Sequence, residues 1–282
     1  MTNINKGTIN TSPLYKIGTK SQLANCLTIS PKELKKAQSK SNDNYICRID
    51  HKKGKPRNIE EPKLRLKKIY STIKTLLSNI NAPLFLFSGV KGRSHIKNGG
   101  FHKNLSYIVR TDINSFYKRC SCEHIFRLFR YRFEMPDDVA WCLTDIVSYN
   151  GYLPTGSPCS QLIAFFAYEK MFKDIEIIAT HHGAKMSLYV DDITFSSHDP
   201  IPNLVMFKTS NVLRQYGFEI KRDKTKHYGK REFALVTGIA IAPNNDIKVS
   251  NKLLEKIHKE RDSIRKKSLI ASARQIEPFF EM

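Results

Sequence analysis

Apolar residues recur along this chain at two periods, one near helical spacing and one of strand type. Leu64, Ile69, Ile73, Leu76, Leu77 and Ile80 follow Pro62 at near-helical intervals and predict a helix there. An earlier helix is predicted from Ser30, where Ser30 and Glu33 make a capping box and Pro31 falls at the first helical position. Short apolar runs at 45–50, 107–113 and 186–196 predict strands, the last a pair joined at Asp191-Asp192. Residues 123–149 read as helical with a fresh start at Pro136-Asp137. Leu153-Pro154-Thr155-Gly156-Ser157-Pro158 reads as a turn feeding a buried helix from Cys159 to Phe172. A helix over 203–216 is stopped by Gly217, and 232–241 with 246–250 form a hairpin around Pro243-Asn244-Asn245. Residues 1–29 are polar and the first dozen are expected to be mobile. The glycine-rich stretch 83–104 is expected to be mostly loop, 51–55 a basic turn with Gly54 at its tip, and 250–282 a basic helix and tail.

Composition sharpens this picture through charge. The 282 residues carry 47 Lys and Arg against 26 Asp and Glu, a net charge of +21. A surplus of that size repels itself in the folded state and is the footprint of a protein that holds phosphate backbones. At 40% hydrophobic residues the chain has enough apolar surface to fold. Its six cysteines form no CxxC pair and are expected to be free thiols. The amino-terminal residues carry no apolar signal core, and the longest apolar run, Leu162 to Tyr168, is too short to span a bilayer. A soluble, cytoplasmic protein with no membrane partner is expected.

The chemistry-bearing residues are carboxylates. Apolar strands run into Asp191-Asp192 and out again, and adjacent buried acids are costly unless a cation offsets them. An ordinary hairpin turn would also favour Asp. Asp112 ends a second apolar strand and precedes Phe116-Tyr117. Strand ends bearing acids can converge on two divalent ions about 4 Å apart, the arrangement used in phosphoryl transfer. Such hard ions take carboxylate and phosphate oxygens rather than thiols or imidazoles.

These residues and their order resemble the reverse transcriptases, and among them the bacterial retron enzymes, over about residues 45–250. Tyr189-Val190-Asp191-Asp192 is similar to the YxDD motif, and Asp112 with Phe116 and Tyr117 to the first palm motif. Leu153-Pro154-Thr155-Gly156 is similar to the LPQG turn, with Thr155 in place of Gln, and Gln161 stands where Pro is common. Lys55-Pro56-Arg57 resembles the fingers motif. Lys224 matches a family lysine, although Lys221 stands where Asn is frequent. Asn98-Gly99-Gly100-Phe101-His102 is similar to the retron NAxxH element, with Gly99 for Ala, and Val236-Thr237-Gly238 to the retron VTG element.

The resemblance implies an α+β, right-hand polymerase fold. An N-terminal helical extension would occupy 1–44 and fingers 45–106. A palm with an antiparallel sheet would occupy 107–235, with inserted fingers helices at about 120–150, and 236–282 would finish the palm and form a short helical thumb. It implies Asp112, Asp191 and Asp192 as ligands of two Mg2+ ions, with Mn2+ as the alternative, and Lys224 as proton donor to pyrophosphate. It implies Lys55 and Arg57 as a triphosphate clamp, Tyr117 as steric gate, and Thr155 and Gly156 against template and nucleotide. Asn98, His102, Val236, Thr237 and Gly238 become candidate RNA contacts. The basic run 51–74 and Lys252, Lys256, Lys259, Arg261, Arg265, Lys266 and Lys267 would grip RNA and duplex. The implied activity is RNA-directed DNA synthesis from dNTPs, copying part of a structured noncoding RNA into DNA. An effector protein would bind the RNA–DNA product in an antiphage defence system. Two alternatives stand beside it: another bacterial defence or group II intron-like reverse transcriptase, and a non-catalytic RNA-binding scaffold.

Overall fold

The computed structural model describes residues 7–38, 44–52 and 55–278, and of 51–52 and 55–58 the backbone alone. In chain order the elements begin with α1 (Lys20–Cys26), α2 (Pro31–Gln38), β1 (Tyr45–Lys52), β2 (Lys55–Pro62), α3 (Leu64–Ser78) and α4 (His95–Phe101). Next come β3 (Tyr107–Asp112), α5 (Phe116–Arg119), α6 (Cys122–Arg127), α7 (Asp137–Val147), α8 (Ser160–Ala167) and α9 (Glu169–His181). Then follow β4 (Lys185–Tyr189), β5 (Asp192–Ser197), α10 (Asn203–Gln215), β6 (Lys226–Tyr228), β7 (Ala234–Val236), β8 (Ile239–Ile241) and β9 (Ile247–Val249). The chain closes with α11 (Asn251–Lys259) and α12 (Ser263–Ile276). Helices and antiparallel sheets make an α+β protein, as expected, in two units: Met1–Pro83 with Ser115–Lys170, and Leu84–Asn114 with Met171–Met282.

The first unit is mainly helical. The capping box forms, with Ser30 N donating to Glu33 and Glu33 N donating to Ser30 Oγ. The helix predicted to open at Pro62 starts instead at Leu64, because Pro62 still pairs with Tyr45 at the end of the β1–β2 ribbon. Leu66, Ile69, Tyr70, Ile73 and Leu77 form its buried stripe. The first dozen residues, expected to be mobile, are tied down from Gly7 onward. Gly7 bridges Ile80, its amide donating to Asn79 O, and Leu14 is wholly buried; residues 1–6 lie outside the described residues, as do the tip of the 51–55 turn and the end of the tail. The helical stretch 123–149 contains α6, a π-helical turn at Leu128–Arg132 and α7. The single helix predicted from Cys159 to Phe172 is broken at Tyr168, whose hydroxyl accepts a hydrogen bond from Ser121 N.

The second unit holds a four-stranded antiparallel sheet in the order β4-β5-β3-β6 and a three-stranded sheet β7-β8-β9. The predicted hairpin around Pro243-Asn245 is the β8–β9 connection, and Thr237-Gly238 supplies a further turn between β7 and β8. Residues 83–104, expected to be mostly loop, contain α4, capped by the Ser94 side chain. The C-terminal basic segment is two helices, anchored to the small sheet by a core of Ile239, Val249, Ile257, Ala273 and Ile276. All six cysteines are free thiols, and among the described residues no helix is long and apolar enough to cross a membrane.

Candidate active site

The three acids meet at one end of the four-stranded sheet. β3 and β5 pair so that Asp112 stands directly opposite Asp192, each at the end of its strand. Tyr189 pairs with Asp192, leaving Val190 and Asp191 as the two-residue turn of the β4–β5 hairpin. Val190 has φ +62°, an uncommon conformation for a β-branched residue and the kind of strain that collects at functional sites. Surrounding groups hold the turn: Val190 N donates to Ser88 Oγ at 2.9 Å, and Ile113 N donates to Asp191 O at 2.8 Å. Lys221 N donates to Asp112 O at 2.8 Å and locks the stretch before Lys224 beside β3.

Each strand-end acid has a cation on it. Lys224 Nζ donates to Asp112 Oδ2, and Arg110 Nε lies 3.0 Å from both oxygens of Asp192. Arg110 escaped the sequence reading, although it stands two residues before Asp112 on one strand, and period-two alternation puts both on the same face. Burial pushes the Asp192 carboxyl up to about 6; Arg110 opposes this, while the charges of Asp191 and Asp112 reinforce it. Among the described residues no three His, Cys, Asp or Glu side chains form a ready-made metal cage. The donor chemistry nonetheless fits hard divalent cations: three carboxylates at adjoining positions, with Asp112 and Asp192 both buried.

The nucleotide-handling candidates belong to the first unit. Lys55 and Arg57 fall on β2, and their side chains lie outside the described residues. Thr155 and Gly156 dock on the other end of β2. Gly156 N donates to Glu60 O at 3.1 Å, and a Cβ on Gly156 would come within 2.6 Å of that same oxygen. Only glycine permits that approach. The Glu60 carboxylate, only 3% exposed, accepts from Thr155 Oγ at 3.0 Å and Tyr152 Oη at 3.2 Å. Burial, with the nearby Glu60 charge, pushes the Tyr152 phenol up to about 12. Leu153 N donates to Tyr117 O at 3.3 Å, so the turn also touches the backbone of the half-buried Tyr117.

The two short elements compared with retrons are joined in the second unit. Asn98 Nδ2 donates to Thr237 Oγ at 3.3 Å, Thr237 Oγ donates to His95 O at 3.1 Å, and Gly99 lies against Ile239. The expectation that His102 and Asn98 touch RNA is corrected: both side chains are wholly buried. His102 Nδ1 lies 2.6 Å from Ser196 Oγ and Nε2 2.7 Å from Ser187 Oγ, so the ring staples α4 to the hairpin that carries the acids. The polar serines inside otherwise apolar strands were the signal for this contact. Val236 is buried as well, which removes its side chain from the RNA surface, whereas Thr237 is half-buried and Gly238 exposed.

This topology is that of the right-hand polymerases. It resembles telomerase of Candida albicans, solved with a fragment of telomeric RNA, at a TM-score of 0.51 and 11% identity over 76% of this chain and 49% of that one. Apo telomerase of Candida tropicalis gives 0.51 at 13% identity, over 80% of this chain and 51% of that one. The family model for reverse transcriptase (RNA-dependent DNA polymerase) matches residues 34–241, and the chain belongs to that family. It is 30% identical over 179 residues to the Retron Se72 reverse transcriptase of Salmonella heidelberg (strain 579083-10), covering 62% of this chain and 47% of the relative. The Retron Ec83 enzyme of Escherichia coli is 24% identical over 171 residues (56% and 55%), and the Retron Mx162 enzyme of Myxococcus xanthus 24% over 226 (68% and 46%). The chain thus spans about half the length of these curated relatives.

Proposed function

We propose that this chain is an RNA-directed DNA polymerase of the retron kind, which copies part of its own structured noncoding RNA into DNA within an antiphage defence system in the cytoplasm. The observation that carries the reading is Asp112 in register with Asp192, beside a strained turn that holds Asp191. Asp112, Asp191 and Asp192 would hold two divalent ions, Mg2+ with Mn2+ as the alternative. When bound, these supply charge neutralisation and lower the pKa of the attacking hydroxyl. A hydroxyl of the RNA or of the growing DNA attacks the α-phosphorus of a dNTP, and the bond to pyrophosphate breaks as the new ester forms. Lys224 donates a proton to the departing pyrophosphate, and Arg110 keeps the Asp192 carboxylate oriented. Lys55 and Arg57 clamp the triphosphate, the Tyr117 ring excludes a ribose 2′-OH, and the Thr155-Gly156 turn lies against the template. Fingers span 45–106, palm 107–235, and a short thumb the basic helices after 236. The thumb grips RNA–DNA duplex, and the exposed Gly238 turn meets the RNA. The RNA–DNA product is the surface an effector protein would bind.

Primer extension on an RNA template with Mg2+ tests this. Wild type should extend with dNTPs and not with rNTPs, and Asp191→Asn/Asp192→Asn should abolish extension while remaining folded. A small structured RNA, copurifying and sequenced with its attached DNA, would support the retron assignment. Failure of a folded wild type with both generic and copurified RNA would move the chain to an RNA-binding scaffold.

A further inference from the structure

We infer that Glu60 is a positioning residue for nucleotide binding, its buried carboxylate pinning the Leu153–Pro158 turn to strand β2. The inference rests on the polymerase reading, which makes both segments nucleotide-handling, and adds a residue that no motif carries.

Three observations converge on it. First, Glu60 is almost fully buried, and an acid in that position is costly unless its oxygens are satisfied. Here Thr155 Oγ donates to Oε2 at 3.0 Å, Thr155 N approaches the same oxygen at 3.4 Å, and Tyr152 Oη donates to Oε1 at 3.2 Å. Second, the backbone closes the same joint, with Gly156 N on Glu60 O and no room for a side chain at 156. Third, Leu153 N reaches Tyr117 O, so the pinned turn also touches the segment bearing the gate ring. Glu60 lies three residues after Arg57 on one strand, which makes the pin a spacer between triphosphate clamp, template turn and gate. It also gives Thr155 a purpose where the family usually has Gln: a short hydroxyl that reaches an acid on the adjoining strand.

The test is steady-state primer extension with Thr155→Val, Thr155→Ser, Glu60→Gln and the Thr155→Val/Glu60→Gln pair, each checked for cooperative unfolding. Thr155→Val keeps the shape and removes the donor. Its KM for dNTP should rise roughly tenfold, the equivalent of one hydrogen bond to a charged group. Its kcat should change much less, and Thr155→Ser should restore KM. The pair should be no worse than the more impaired single variant. Unchanged KM in the single variants, or effects that simply multiply in the pair, would overturn the inference with wild-type activity intact. An inactive wild type would instead count against the polymerase reading. The pin is then decided by amide hydrogen exchange: faster exchange confined to 153–158 in Thr155→Val supports it, and unchanged exchange overturns it.

Discussion

His102 shows how burial decides what a single residue does. An exposed histidine in a basic loop could meet phosphate, but this ring is sealed between two serine hydroxyls. Each hydroxyl can donate or accept, so these contacts suit either tautomer, and it is burial that opposes the charged ring. Burial, with Lys185 nearby, lowers its pKa to about 3. The sign of the pH effect follows. Above the unfolded value near 6.5, neither state is protonated at this residue and it contributes no pH dependence. Between 6.5 and about 3 the unfolded chain takes a proton that the native ring refuses, so native stability falls as pH falls, by up to about 1.4 kcal/mol per pH unit from this group. Urea denaturation from pH 7 to 4 should therefore show a shallower loss in His102→Gln than in wild type. His102→Ala, leaving a cavity and two unsatisfied hydroxyls, should cost roughly 2–4 kcal/mol at pH 7. Equal pH slopes in wild type and His102→Gln would remove the histidine from this account.

At the scale of elements, α4 and the β7–β8 turn behave as one part. Gly99 is helical, where glycine costs about 1 kcal/mol relative to alanine, yet an added Cβ would stand 3.0 Å from two carbons of Ile239. Gly99→Ala, the residue of the retron element, should therefore destabilise despite its better helix propensity. Ile239→Ala, which removes Cγ1 and Cγ2, should lessen the cost of Gly99→Ala in a double-mutant cycle measured by thermal unfolding; additive effects would mean the two residues do not meet. The same joint explains what the sequence left unread. Strands and acids were legible because apolar runs ending in Asp112 and Asp191-Asp192 need only local pattern. So was the Ser30–Glu33 cap. The helix at His95–Phe101 was hidden because two glycines lower its propensity, and only the distant Ile239 explains one of them. Arg110 was readable from strand alternation. Glu60, by contrast, takes its meaning from Thr155 and Gly156, nearly a hundred residues away, and no local period announces such a pair.

Over the whole molecule the dominant quantity is charge. A net +21 on 282 residues gives the folded chain a self-repulsion that a polyanion relieves. The surplus is not spread evenly. Lys252, Lys256, Lys259, Arg261, Arg265 and Lys267 are exposed on α11, α12 and the link between them, while Ile257, Ala273 and Ile276 of these helices are buried against the small sheet. Lys248 and Val249 N, both held by Glu277, fasten the end of α12 to β9. A basic surface fixed on a core in this way engages phosphates as a unit, and each neutralised phosphate releases condensed counterions. If about six phosphates are engaged, affinity for RNA or RNA–DNA duplex should fall about a thousandfold between 50 and 200 mM salt. Filter binding across that range should give a linear plot of log affinity against log salt. Lys256→Glu/Lys259→Glu/Arg265→Glu should flatten the slope by roughly one for each phosphate that is no longer neutralised, while the fold, whose core these side chains do not enter, stays cooperative. An unchanged slope in that variant would mean the nucleic acid is held elsewhere on the chain, and would leave the basic faces of α11 and α12 without a role in duplex grip.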